Sequence, residues 1–211
     1  MNFSLKKINK YCEEHTSPIS TVLHRLERET HLKTLAPQMA SGAYQGKLLE
    51  LLVRMSRPKT VLEIGTFTGY SSICIGMALG EGCVLHTIEA NRELQVIIQK
   101  FIAEAELEDK IITHVGDALE IIPQLEASFD MVFIDAGKRD YAAYYDLIID
   151  RLNPNGIILA DNVLWSGKVV DSKKDNDTSI IDAFNKKVRD DKRVENITLP
   201  IRDGLTVAVK I

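Results

Sequence analysis

The sequence predicts an α/β fold: a doubly wound, mostly parallel seven-stranded sheet with helices on both faces, a reversed last strand and extra N-terminal helices. Three observations predict it. From Thr60 onward, short apolar runs bounded by turn residues alternate strictly with longer amphipathic stretches, as in a parallel sheet covered on both sides. The last two runs are only five residues apart, too few for a parallel crossover, so they pair antiparallel. And 211 residues, 45% of them hydrophobic and 27% charged, suit an α/β unit that buries its own core without disulfide or metal.

Taken in order, Ser17-Pro18 offers a cap followed by Pro at a first helical position. Ile19, Val22, Leu23 and Leu26 then mark one helical face, and Leu48, Leu51, Leu52 and Met55 mark a second before Pro58. Residues 1–56 read as a helical cap and entrance segment, and 57–211 as the ligand-binding domain, the two forming one structural unit. Strands are expected at 60–64, 84–88, 111–115, 131–134 and 157–160, with helices at 71–79, 91–106, 118–125 and 141–152 between them. A helix at 180–189 and strands at 194–199 and 205–209 close the chain, with Asp203-Gly204 as the turn. Residues 171–178 read as a mobile polar loop, with Gly167 as a hinge ahead of it.

Charge and cysteine usage narrow the class. The 26 basic and 30 acidic residues leave a net charge of −4, which argues against an electrostatic grip on nucleic acid. Residues 1–56 carry 8 Lys/Arg against 5 Glu, an asymmetry too small to name a partner. No apolar run approaches the roughly 18 residues of a membrane span, and MNFSLKKINKYCEEH lacks the apolar stretch of a secretory signal. Cys12, Cys74 and Cys83 show neither disulfide nor zinc spacing. The expectation is a soluble, cytoplasmic protein.

In open α/β sheets, ligands bind beyond the carboxyl ends of the strands, where strand order reverses. The first strand ends in Glu63-Ile64-Gly65-Thr66-Phe67-Thr68-Gly69-Tyr70-Ser71, whose glycines leave backbone close to a ligand. The dinucleotide spacing GxGxxG is absent. Glu89, 24 residues past Gly65, ends the second strand, where a carboxylate can accept from both ribose hydroxyls; the same acid would equally complement a helix dipole. Asp117 can reach an adenine amino group or cap the helix that opens at Ala118. Glu63 lies in an apolar run and needs a partner, either a cationic ligand or the loop's N–H groups. S-adenosylmethionine brings an ammonium and a sulfonium, whereas a pyrophosphate would be repelled.

The fourth strand ends at Asp135 and the fifth at Asp161-Asn162. Two carboxylates and an amide oxygen make a hard set suited to Mg²⁺, Mn²⁺ or Ca²⁺. Lys138, three residues after Asp135, can serve as a general base beside such an ion; the bland alternative is an exposed lysine opening a helix.

VLEIGTFTGYSS, FIDAGKRDY, ILADNVLWSGKV and LPIRDGLTVA closely resemble the motifs of the cation-dependent class I O-methyltransferases, the group of the caffeoyl-CoA and catechol enzymes and their small bacterial relatives. The resemblance runs from about Met39 to the C-terminus, with four motifs in family order. It implies that Asp135, Asp161 and Asn162 hold the metal and that Lys138 deprotonates the acceptor hydroxyl. It implies that Glu89 binds the ribose, that Glu63, Gly65 and Ser71 surround the methionine end of S-adenosylmethionine, and that Asp117 and Ala118 border the adenine. Met39 and Ser41 match a segment covering the donor, Asp135 faces donor as well as metal, and Trp165 matches a position near the acceptor. The implied acceptor is a small vicinal diphenol, and the implied assembly a homodimer.

Two departures bear on the acceptor. The caffeoyl-CoA type usually reads DADK where this chain has Asp135-Ala136-Gly137-Lys138, and the catechol type has a large aromatic at Gly137, so that wall is expected to be open. Tyr141 and Tyr144, at helical spacing, read as packing residues. A nicotinamide oxidoreductase lacks its glycine fingerprint and Tyr-Lys pair here, and nucleic-acid methylation lacks Pro-Pro-Tyr after an Asp or Asn. A non-catalytic donor-binding module is opposed by Lys138 and the oxygen set together.

Overall fold

The computed structural model describes residues 5–211; the first four residues of the stretch read for a secretory signal lie outside it. Three helices come first: α1 (Leu5–Glu14), α2 (Thr21–Lys33) and α3 (Gly42–Ser56). Then follow β1 (Thr60–Ile64), α4 (Tyr70–Ala78), β2 (Val84–Glu89), α5 (Gln95–Glu104), β3 (Ile111–Val115), α6 (Ala118–Ile121), β4 (Phe129–Ile134), α7 (Tyr141–Ile149), β5 (Leu152–Asp161), α8 (Asn176–Asp190), β6 (Val194–Leu199) and β7 (Leu205–Lys210).

The strands form one seven-stranded sheet in the order β3-β2-β1-β4-β5-β7-β6. β1 to β5 pair in parallel, and β7 runs antiparallel to both β5 and β6. Strand order reverses between β1 and β4, which are in register through Ile64 and Ile134. Their carboxyl ends therefore part the overlying connections and open a crevice. Leu62, Ile134, Tyr141, Tyr145, Phe184 and Ile158 belong to the core on one face. Leu26, Leu49, Val53, Tyr70, Phe101 and Phe133 belong to the core on the other, so α2 and α3 share a core with the sheet. Among the described residues no helix is long and apolar enough to cross a membrane.

Several local expectations are corrected. Ser20, not Ser17, caps α2, its hydroxyl accepting from the Leu23 N–H at 3.4 Å. α3 turns Gln45, Gly46, Leu49 and Val53 inward and leaves Leu51 and Met55 exposed. The cause is Gly46: a Cβ there would lie 2.6 Å from Cys74 Sγ, so the helix faces α4 through its smallest residue. Asp175 caps α8 by accepting from the Thr178 N–H at 2.8 Å, so half of the supposed polar loop starts that helix. Pro123 shortens α6, and β5 begins five residues earlier than its apolar run. α1 is a helix that the apolar spacing did not announce.

Candidate active site

A cavity of about 960 Å³ opens over the carboxyl ends of β1 to β5. Met39, Ser41, Gly65, Ser71, Glu89, Asp117, Ala118, Asp135, Lys138, Asp161 and Asn162 all line it. Of the site residues expected from the sequence, Glu63 does not line it and is fully buried.

The β1–α4 loop is shaped by two glycines with positive φ, Gly65 at 100° and Gly69 at 94°. Gly65 serves strand contact first: a Cβ there would fall 2.0 Å from the Asp135 carbonyl oxygen. The Gly65 N–H donates to Ile88 O at 3.0 Å and the Asp135 N–H to Ile64 O at 2.9 Å, which locks three strand ends together. Glu89 closes the same loop. Its Oε2 accepts from the Phe67 N–H at 2.7 Å and its Oε1 from the Asn91 N–H at 2.8 Å, so each oxygen can accept one bond more. Asp117 caps α6 through the Leu119 N–H at 2.8 Å while facing the same space.

Glu63 has partners within the fold that the sequence did not announce, two hydroxyls. Its Oε2 accepts from the hydroxyls of Ser72 and, at 2.6 Å, of Thr87, whereas its Oε1 has no hydrogen-bond partner. Burial pushes its carboxyl up to about 7, against the pull of the neighbouring hydroxyls.

At the β4 and β5 ends the cavity becomes rich in oxygen. Lys138 Nζ donates to Asp135 Oδ1 at 3.0 Å and to the Tyr141 hydroxyl at 2.7 Å. The Tyr141 hydroxyl is in turn shared between Ile134 O and Asp161 O, both at 3.1 Å. Tyr141 therefore packs, as expected, and also holds the lysine against both strand ends. Burial raises the Asp135 carboxyl above its usual range, with Lys138 pulling it down and Asp161 pushing it up. Asn162 adopts a left-handed backbone at φ 58°, as do Trp165, Ser166 and Gly167 after it. Such a run is costly and is held here by Asp203, which accepts from the Leu164 and Ser166 N–H groups at 2.9 and 2.5 Å. Gly137 keeps an ordinary φ of −57°, and a Cβ there would meet only Asp140 Oδ2 at 3.8 Å, so the open wall has room for a side chain.

The donor set is compatible with a hard divalent cation. Among the described residues neither Asp135 Oδ2 nor the Asn162 side chain takes part in a hydrogen bond, and each Asp161 oxygen accepts only one. Those oxygens belong to two neighbouring carboxylates and an amide, the chemistry that Mg²⁺ or Mn²⁺ takes.

Two residues linked to Asp161 escaped the sequence reading. Gln45 is 2% exposed, and its Nε2 donates to Asp161 Oδ2 at 2.8 Å. Arg202, in the β6–β7 turn, donates to Gln45 Oε1 at 2.7 Å and to the carbonyls of Ser41 and Ala40. The signal for Gln45 was its spacing, four residues before Leu49 and eight before Val53, on the face that turns out to be buried. Arg202 gave none.

The sequence matches the O-methyltransferase family over residues 13–211. It is 32% identical to a probable caffeoyl-CoA O-methyltransferase 2 of Dictyostelium discoideum, covering 97% of this chain and 91% of the relative. The fold is similar to the O-methyltransferase of Bacillus cereus in complex with SAH, at 29% identity and a TM-score of 0.89, covering 97% of each chain. It is also similar to TomG of Streptomyces achromogenes in complex with SAM, at 32% identity and a TM-score of 0.87, covering 97% of this chain and 96% of that one.

Proposed function

The chain belongs to the O-methyltransferase family, an S-adenosylmethionine-dependent class of enzyme, and from that premise we propose a cation-assisted transfer of the sulfonium methyl to a hydroxyl of a small vicinal diphenol. One observation carries the reading: Lys138, Asp135, Asp161 and Asn162 line the same cavity as the Gly65–Ser71 loop, so base, oxygen donors and donor loop share one space.

At the β1–β3 ends Glu89 would hold the donor's ribose, Asp117 and Ala118 would border its adenine, and Met39 and Ser41 would cover it. Glu63 supports the loop at the methionine end through Ser72 and Thr87. Asp135, Asp161 and Asn162 would hold Mg²⁺, Mn²⁺ or Ca²⁺, whose chemistry is to polarise the acceptor hydroxyls and lower their pKa. Lys138 acts as the neutral amine, its Nζ lone pair taking the proton of the attacking hydroxyl, and Asp135 and the Tyr141 hydroxyl hold the ammonium that forms. A C–O bond forms as the S–CH₃ bond breaks, and S-adenosylhomocysteine leaves with the bond's electron pair. No enzyme nucleophile takes part, so positioning and charge compensation supply the acceleration. The assembly is a homodimer, which light scattering on the purified protein tests.

The deciding experiment incubates the protein with S-adenosylmethionine and a panel of vicinal diphenols, with and without EDTA, read by mass spectrometry. Monomethylated product that disappears with chelator is expected. Full turnover in excess EDTA would reject the cation, and no product from any diphenol would reject the acceptor class.

A further inference from the structure

We propose that Gln45 and Arg202 are positioning residues that couple closure of the entrance segment over the donor to the grip of Asp161 on the cation. The inference rests on the reading that Asp161 helps to hold a divalent ion.

The connection is a chain of hydrogen bonds between parts of the sequence far from one another. The carbonyls of Ala40 and Ser41 accept from the Arg202 guanidinium, which also donates to Gln45 Oε1 at 2.7 Å; Gln45 Nε2 then donates to Asp161 Oδ2 at 2.8 Å. The chemistry permits one orientation of that amide. A guanidinium only donates and an ionised carboxylate only accepts, so the Gln45 oxygen must face Arg202 and its nitrogen Asp161. Gln45 and Asp161 are both buried, which makes an unpaired group at either one costly.

The other end of the chain sits at the cavity mouth. Gln38, Met39, Ala40 and Ser41 line the cavity, and Met39 is 59% exposed. Arg202 clips the backbone of this segment and points the amide. Were the segment to lift, Arg202 would lose its carbonyl acceptors and the fixed point for Gln45, and Asp161 Oδ2 would lose its restraint. A ligand that seats the segment thereby orders a cation-binding oxygen, and by linkage the cation must favour the seated ligand by the same factor. Outer partners of this type change metal affinity by about 10- to 100-fold when removed.

The test is calorimetric and needs no turnover. Mn²⁺ is titrated into the full-length protein with and without saturating S-adenosylhomocysteine, and S-adenosylhomocysteine with and without Mn²⁺. In the wild type each ligand should tighten the other by about tenfold, within the usual range of coupling. In Gln45→Met, which keeps the length and loses the polarity, the factor should fall below about twofold. Arg202→Met should show the same loss from an independent site on a turn, so that a folding defect in the Gln45 variant leaves the inference exposed to refutation. Arg202→Lys should regain part of the factor, since an ammonium can still reach one acceptor. An undiminished factor in a folded Gln45→Met or Arg202→Met, or a wild-type factor near one, overturns the coupling alone. Absence of Mn²⁺ binding in the wild type, with turnover indifferent to EDTA, overturns the cation reading and the coupling together.

Discussion

The two halves of the cavity are built by different means. The half over β1, β2 and β3 is made of backbone and of acids that accept from backbone N–H groups, most of them close by in sequence. Glu89 reaches Asn91 two residues on, Asp117 reaches Leu119, and Gly65 and Gly69 supply the turns. The half over β4 and β5 adds to the local Lys138 contacts side chains that meet side chains from remote segments: Gln45 with Asp161, 116 residues apart, and Arg202 with Gln45, 157 residues apart. A ligand surface made of local turns is fixed as soon as its strands align. One made of long-range polar pairs exists only when the whole domain has closed, and each pair is exposed to single substitutions at both ends.

That contrast can be broken in order of expected effect. On the remote half, Asp161→Ala should cost turnover of a diphenol roughly 4 kcal/mol of transition-state stabilisation, or about a thousandfold, while the protein still melts cooperatively. Steady-state kinetics beside a melting curve check it, and wild-type turnover would dissolve the distinction between the halves. Gly65→Ala attacks the seam where the halves touch. A φ of 100° and a Cβ placed 2.0 Å from the Asp135 carbonyl should together destabilise the fold by about 3 kcal/mol or more. A melting temperature lowered by roughly 10 °C is expected for a domain of this size.

Glu63 lies under the local half and gives it a pH dependence. Its carboxyl is pushed up to about 7 from 4.5, so between those values the folded chain holds a proton that the unfolded chain has released. The resulting stabilisation is complete below pH 4.5 and is lost as pH rises through about 7, over a range of a few kcal/mol. Glu63→Gln should flatten that stretch of the melting-temperature profile and gain on the wild type at pH 8. Parallel profiles for the two proteins would contradict this. The smallest effect belongs to a purely local group: Asp117→Ala removes the α6 cap and should cost about 1 kcal/mol, seen as a shift of roughly 2–4 °C.

How much was legible follows the same division. Strand ends carry their acids in sequence, and parallel neighbours bring those ends to one rim, so Asp135, Asp161, Asn162 and Glu89 could be placed together from the run lengths alone. Glu63 was legible as a buried acid in need of a partner, but the partner was not, because Ser72 and Thr87 arrive from α4 and from the neighbouring strand. The face of α3 was half read for a related reason, since Leu48 and Leu52 pack against the core while Leu51 and Met55 stay exposed. Leu48, Leu51, Leu52 and Met55 have perfect helical spacing, yet Gly46 against Cys74 and Tyr70 decides which stripe can approach the sheet. Tyr141 shows a third limit: periodicity finds a ring that packs and says nothing of where its hydroxyl points.

Hydrophobic period, turn chemistry and the five-residue gap before β7 determined the sheet, its reversed last strand and the crevice at the switch point, since each depends on neighbours in the chain. Only the tertiary structure decided that Arg202 would clip Ala40 and Ser41 and orient Gln45 against Asp161. The physical reason is that burial compels polar groups to find complementary partners wherever the chain brings them, and spacing along the sequence carries no record of that pairing.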